Sequence, residues 1–422
     1  MSVGQNDSRS PARFTPALLL LALSFVINYI DRGNISVAAP LLKTELHLSP
    51  SQLGILFAAF FSTYTAMQFV VGWVVDRFDA NRVLAAGFLL WSVATAVTGM
   101  VSGFALLLAM RFTLGIGESV AMPSGSKILA CNLPEHRRGF ASGAMMAALR
   151  CGNAIGTLGA GLLMARFGWR PVFISIGLAS LSWLPAWTKW MPRANREPKP
   201  ALASSLGLPE ILRQRSFWGT CAGHFSANYL FYFMITWLPS YLVFERHLSM
   251  ATMSAVAGLY YSVDCASAIA TGWLQDFSIR RGYTPTLVRK SAMAIGFFVA
   301  AIATVGCAAS AHSYLPWLLT AGLGCGMTGP GLFTFPQTLA GPNAVGRWYG
   351  WQNGFANFAG VVGPVLTGLV IERTGKFLGA FLITAALCIA GVVAWVFVVG
   401  RVEPIGWKTS HDADILTANA QA

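Results

Sequence analysis

Four charged side chains sit inside otherwise apolar stretches: Asp31 and Arg32 interrupt the run 14–39, and Arg111 and Glu118 share the run 104–130. At bilayer depth a charge costs about 2.5–3.5 kcal/mol on insertion scales, so it is rarely kept without a task. Arg111 and Glu118 are seven residues apart. On a helix that spacing is nearly two turns, on the same face and ~10 Å along the axis. A carboxylate that a proton can neutralise, near an arginine that stays charged, is the chemistry of proton-coupled anion movement. The structural alternative is a cation and a carboxylate that merely neutralise one another, with Gly115 and Gly117 thinning the helix. Two observations favour chemistry. Asp31-Arg32 arrives independently, and the repeat-related places of the second half, Phe231-Tyr232 and Met327, carry no charge.

The elements that must position these residues follow from composition. The 422 residues are 55% hydrophobic and 11% charged, against about 25% charged for an ordinary soluble domain. Apolar segments fall near 14–39, 51–75, 83–103, 104–130, 139–166, 170–190, 216–244, 252–274, 287–310, 313–336, 349–373 and 377–400. Each is near or above the ~20 residues a helix needs to cross a bilayer. The expected fold is therefore an all-α membrane protein of twelve transmembrane helices. Met1–Arg13 is polar and basic and leads into an apolar run as a signal peptide does, but no small-residue cleavage site precedes Asp31, so a retained first helix is expected.

The net charge of +13 is a topology signal rather than a nucleic-acid footprint. With the N-terminus inside, nineteen of the 29 Lys and Arg fall on the cytoplasmic side, six on the other and four (32, 111, 127, 150) at membrane depth. That bias places both termini in the cytoplasm. The seven cysteines lie in or beside apolar stretches with no Cys-x-x-Cys, and the six histidines are scattered, so neither a disulfide framework nor a metal site is expected, and no cofactor.

The longest polar stretch between spans, 191–215, is rich in Pro, Lys and Arg and falls halfway along the chain. The expected layout is a cytoplasmic tail 1–13, a six-helix bundle 14–190, a cytoplasmic linker 191–215, a second six-helix bundle 216–400 and a tail 401–422. The halves echo one another. Asn28-Tyr29 recurs as Asn228-Tyr229, Gly72-Trp73 with Asp76 recurs as Gly272-Trp273 with Asp276, and Arg150, Gly156 and Gly161 fall opposite Asn357, Gly363 and Gly368. Parallel repeats imply two bundles about an axis along the membrane normal, with a substrate site between them near the midplane.

The loop after the second segment, Gly72 through Asp76 and Arg77 to Arg82, resembles the loop signature of the major facilitator superfamily, and Gly272 to Arg281 resembles a degenerate second copy. The resemblance covers about residues 14–400. Within that superfamily, Asn28-Tyr29-Ile30-Asp31-Arg32, Arg111 to Glu118, Pro134 to Arg137 and Asn228-Tyr229 with Tyr232, Thr236-Trp237 and Pro239 resemble the anion:cation symporter family, which includes bacterial sugar-acid symporters and animal organic-anion transporters. In galactonate-type members, positions matching Asp31 and Glu118 take up protons, and those matching Tyr29, Arg32, Tyr64 and Arg111 face the substrate. Segment five departs from the pattern. It has Leu149-Arg150 where a polar uncharged residue is expected, and segment eight carries Asp264.

Other residues have two readings each. Asn228, Tyr232, Asn353 and Asn357 suit the hydroxyls of a substrate, or pack and glue helices. Lys127 reads as a cation snorkelling to the interface, and His224 as a packing residue. The glycine-rich run 322–331 lacks a following Lys-Ser/Thr and reads as helix packing rather than a phosphate loop. Asp76, Arg77, Arg82, Asp264 and Asp276 are candidates for conformational control. Arg150 and Asp264 lie ~16 and ~18 Å from their cytoplasmic helix ends. At matching depth on helices that face one another in this arrangement, they either pair or leave Arg150 to anchor a second substrate carboxylate.

The expectation is a monomeric, proton-coupled symporter of a small organic anion, a hexonate, hexarate or hexuronate, in the bacterial inner membrane, with protons and lipid as its other partners. An aromatic or dicarboxylate anion is the nearest rival. A membrane-embedded enzyme lacks a nucleophile–base or metal constellation, and a transporter-like receptor lacks a cytoplasmic segment long enough to fold alone.

Overall fold

A computed structural model describes residues 15–133, 135–191, 208–310 and 313–407. The tails 1–13 and 408–422, Pro134 of the Pro134–Arg137 motif, and most of the linker lie outside the described residues. The described chain is helical: α1 (Thr15–Glu45), α2 (Pro50–Arg77), α3 (Ala80–Thr98), α4 (Phe104–Ser119), α5 (Ala121–Asn132), α6 (Glu135–Phe167), α7 (Trp169–Leu181), α8 (Trp183–Trp190), a short α9 (Leu208–Leu212), α10 (Arg215–Phe244), α11 (Met250–Arg280), α12 (Pro285–Ala309), α13 (Tyr314–Thr328), α14 (Gly331–Thr374) and α15 (Leu378–Val393), which runs on into a π turn over Ala394–Val398.

Every expected apolar segment falls in a helix, but three segments are broken: 104–130 at Val120, 170–190 at Ser182 and 313–336 at Gly329-Pro330. Proline at 330 removes a backbone donor and stops the helix there. Conversely, α14 joins two segments across Gly341, whose φ of 67° is a left-handed value that glycine adopts without strain. Eight of the described spans are long and apolar enough to cross a membrane by length and composition. The other four expected segments lie in α6, α10, α11 and the stretch broken between α13 and α14. All four carry buried polar residues, Asn153, His224, Asn228, Asp264 and Thr328 among them. Helices that line an interior carry polar groups and read as less apolar.

Pairing repeats between the halves. In the first, α1 packs on α6, α2 on α4, and α3 on α4 and α7. In the second, α10 packs on α14, α11 on α13, and α12 on α13 and α15. The halves meet along α2 with α14, α6 with α11 and α1 with α10. At the end carrying the 46–49 loop they close tightly. Gly54 faces the Pro364 carbonyl and Gly368 the Pro50 carbonyl, each with room for a Cβ only at 2.5 Å. There the Glu372 carboxylate accepts from the Ser51 amide (3.0 Å) and the Ser49 hydroxyl (3.3 Å), so a residue of one half caps a helix of the other.

Candidate functional site

The charged residues of α1 and α4 converge at the centre of the first half. Arg32 donates through Nε (3.1 Å) and Nη2 (3.0 Å) to one oxygen of Glu118, Oε2, and through Nη1 to the Tyr29 hydroxyl at 3.3 Å. The two ion-pair side chains are 4% and 0% exposed, so water competes little. The guanidinium carbon also stands 4.6 Å over the Tyr29 ring, 4.9 Å over Phe60 and 4.7 Å over Tyr64. Each ring face contributes roughly 0.5–2 kcal/mol toward holding a desolvated cation.

The partner of Glu118 is therefore Arg32 on α1, not the Arg111 that shares its own helix. The reason is geometric. Seven residues of helix separate Arg111 from Glu118 by ~10 Å along the axis, too far for an ion pair. Arg111 is buried and has no ion pair or hydrogen bond among the described residues; its guanidinium carbon stands 4.9 Å over the Phe60 ring. Asp31 is also buried; neither of its oxygens has a hydrogen-bond partner within 3.5 Å, and the Thr95 side chain is the polar group beside it. Glu118 and Arg111 are the charged groups that act on Asp31. α4 delivers Glu118 this deep because Gly115 lies against α2 at the Phe60 carbonyl and Gly117 against α3 at Trp91.

The facing wall belongs to the second half. Tyr232 on α10 meets Phe61 with ring centroids 4.3 Å apart. Its hydroxyl donates to Asn357 Oδ1 at 2.6 Å, and Asn357 Nδ2 donates to the Asn353 carbonyl at 2.8 Å. Tyr232 and Asn357 are thus tied to each other, and Asn353 is half-buried beside them. Asn228 is buried on α10 with no hydrogen bond to its side chain among the described residues. Two residues of this cluster escape a reading by residue type: Phe60, which meets both arginines, and Tyr349, which lies near Tyr64 and Tyr29. Phe60 is four residues before Tyr64, hence on the same face of α2, and that spacing was the available signal.

A second ion pair crosses between the halves. Arg150 Nη1 on α6 donates to Asp264 Oδ2 on α11, with side chains 23% and 3% exposed. The same guanidinium sits against Gly329 at the break between α13 and α14, where a Cβ would lie 2.4 Å from Nη2. It thus also faces the C-terminal, electronegative end of α13.

At the loop motifs, Arg77, Arg82 and Asp276 are exposed, and the Asp76 side chain lies outside the described residues. Lys127 does not simply reach for the interface: its Nζ donates to the Val75 carbonyl in the last turn of α2. His224 packs as a buried partner of Gln352, with Nδ1 3.0 Å from Nε2. Of the 322–331 glycines, Gly324 packs against α12 and Gly326 against α11, whereas Gly329 lies against the Arg150 guanidinium.

The sequence matches the Major Facilitator Superfamily over residues 21–360 and 288–417. The chain belongs to that superfamily. It is thereby a multi-pass integral membrane protein of a transporter fold. It is 30% identical to a hexuronate transporter of Bacillus subtilis, covering 92% of this chain and 95% of that one. It is 32% identical to a probable sulfoacetate transporter, SauU, of Cupriavidus necator (90% and 92% covered). It is 28% identical to a probable galactarate/D-glucarate transporter of Escherichia coli (94% and 97%). Among solved structures, a bacterial homolog to the human lysosomal transporter Spinster, in an inward-facing and occupied conformation, superposes with a TM-score of 0.77. That match covers 92% of this chain and 97% of the other at 16% identity, and so bears on the superfamily fold alone.

Proposed function

We propose that this protein is a proton-coupled symporter of a small organic anion, a sugar acid of the hexonate, hexarate or hexuronate class, acting as a monomer by alternating access in a bacterial inner membrane. One observation carries the reading: Glu118 occupies two donors of Arg32, while the Arg111 side chain beside the same ring makes no ion pair or hydrogen bond among the described residues. A proton on Glu118 removes the charge that engages Arg32. The same two donors then meet a substrate carboxylate, with bidentate geometry that a guanidinium provides and an ammonium does not. Arg111 supplies a second fixed charge. Asp31 takes a second proton, which removes a buried charge that makes no ion pair and has only the Thr95 side chain as a polar neighbour.

Tyr29, Tyr64, Tyr232, Asn228, Asn353 and Asn357 meet the hydroxyls. Rocking of the halves turns the loaded site, with Asp76, Arg77, Arg82, Asp264 and Asp276 setting the balance of conformations. Release of the protons into the cytoplasm restores Glu118 as the ligand of Arg32 and expels the anion. Supporting the substrate class are relatives named as hexuronate and galactarate/D-glucarate transporters.

The nineteen-to-six charge bias puts both termini inside, which makes the closed end with Gly54 and Glu372 the outer one. Reporters fused at Lys199 and Ala422 are expected to read cytoplasm; a periplasmic signal at either position defeats the orientation.

A second reading, a short dianion, is favoured by the 32% identity to a probable sulfoacetate transporter. One screen separates the two. The purified protein is heated with D-glucuronate, D-galactonate, D-galactarate, sulfoacetate or phthalate. An anion present at 100 times its Kd stabilises the folded state by about 2.7 kcal/mol. Stabilisation by the sugar acids supports the first reading and by sulfoacetate alone the second; no response to either, or to phthalate only, overturns both.

A further inference from the structure

We infer that Phe60 is a positioning residue of the anion site, whose ring holds the Arg111 guanidinium in place by its face and so leaves its N–H donors to the substrate. The inference rests on the anion-binding reading above. Phe60 is fully buried, and its ring centroid lies 4.9 Å from the guanidinium carbon of Arg32 and 4.9 Å from that of Arg111. The two cations are therefore no further apart than about twice that distance.

They depend on the ring unequally. Arg32 is also held by Glu118, Tyr29 and Tyr64. Among the described residues the Arg111 side chain makes no ion pair and no hydrogen bond; Glu118 and Asp31 attract it without a direct contact, and the ring face is what its guanidinium rests against. Phe60 itself is fixed by Tyr64, stacked at 5.6 Å and 24°, and by Phe61, edge-on at 5.0 Å.

The choice of an aromatic ring has a chemical reason. A carboxylate partner would take the in-plane N–H groups of Arg111 and compete with the incoming anion, as Glu118 does at Arg32. A ring face attracts the flat of a guanidinium through its quadrupole and leaves every N–H free. One arginine is thus gated by a titratable carboxylate, while the other is kept constantly available by an ungated aromatic.

The test compares full-length wild type, Phe60→Leu, which keeps an apolar side chain without a π face, and Phe60→Tyr, which keeps the face. Dissociation constants are measured with D-glucuronate, D-galactarate and sulfoacetate. For each probe that wild type binds, Phe60→Leu should weaken binding about tenfold. Phe60→Tyr should stay within about threefold of wild type, and Phe60→Leu should add little once Arg111→Gln is present. Wild-type affinity in Phe60→Leu, a folded Phe60→Tyr as weak as Phe60→Leu, or fully additive effects with Arg111→Gln each overturn the role.

A ligand-free arm uses the thermal midpoints of the same four proteins of the Phe60/Arg111 cycle. Phe60→Leu should lower the midpoint less when Arg111 is already Gln; an equal drop in both backgrounds also overturns the hold on Arg111. If wild type binds none of the probes while that cycle is non-additive, the anion reading fails and the ring's hold on Arg111 stands.

Discussion

Glu118→Gln is expected to exchange substrate across the membrane and to lose all accumulation driven by a proton gradient. Glutamine keeps the size of the side chain and a carbonyl oxygen for Arg32, but it carries no charge to hold that guanidinium and no proton to release. The ion pair at 3.0 Å, with side chains 4% and 0% exposed, is the contact that the proposed protonation of Glu118 would break in the wild type. Binding of the anion should therefore tighten as pH falls in wild type, because Glu118 must be neutral before Arg32 is free. In Glu118→Gln this component of the pH dependence should vanish. Asp31→Asn should likewise block accumulation while leaving exchange. Proteoliposomes loaded with substrate, assayed by counterflow and then under an imposed pH gradient, read both halves of the prediction. Uphill accumulation by either variant would remove that carboxylate from coupling.

The second large effect is expected at the junction of the halves. Arg150→Asp places two carboxylates where Arg150 and Asp264 now pair, and Asp264→Arg places two guanidinium groups there. Breaking a buried pair by removing one partner costs about 3–5 kcal/mol, and reversing the charge adds repulsion. Each single variant should fail to transport. The double variant should recover transport in part, because the exchanged cation still faces a carboxylate but no longer sits against Gly329. Gly329→Ala tests the same seat from the other side, since its new methyl group would lie 2.4 Å from Arg150 Nη2. If the double variant folds and reaches the membrane yet stays inactive, while Asp264→Asn transports normally, Arg150 serves as an anchor for a second substrate carboxylate instead. The two outcomes also divide the substrate readings, because such an anchor favours dianions.

These expectations divide according to what a linear sequence can specify. The apolar runs specify where helical segments lie, though not where helices break or join, since each run is long enough to span a bilayer and the bilayer forbids unsatisfied backbone. The sequence by itself also singled out the side chains on which the proposed chemistry rests: Asp31, Arg32, Arg111, Glu118, Arg150 and Asp264 stand out because a charge in an apolar run is costly and therefore conspicuous. The Arg150–Asp264 contact was legible as one of two alternatives, because the constant rise of a helix converts residue number into depth and the superfamily resemblance sets the two helices face to face.

Partner choice was decided by the tertiary structure. Helical periodicity relates Arg111 to Glu118 within one helix, but the carboxylate pairs with Arg32, 86 residues away on α1, because α1 and α4 converge at that level while the intrahelical spacing leaves a gap. The break at Gly329-Pro330 was visible as residue types, yet that it seats a guanidinium from the other half was not. Phe60 was hidden among 28 phenylalanines, for an aromatic residue in an apolar run looks the same whether it faces lipid or two arginines. Packing between helices, which no local spacing encodes, makes that distinction.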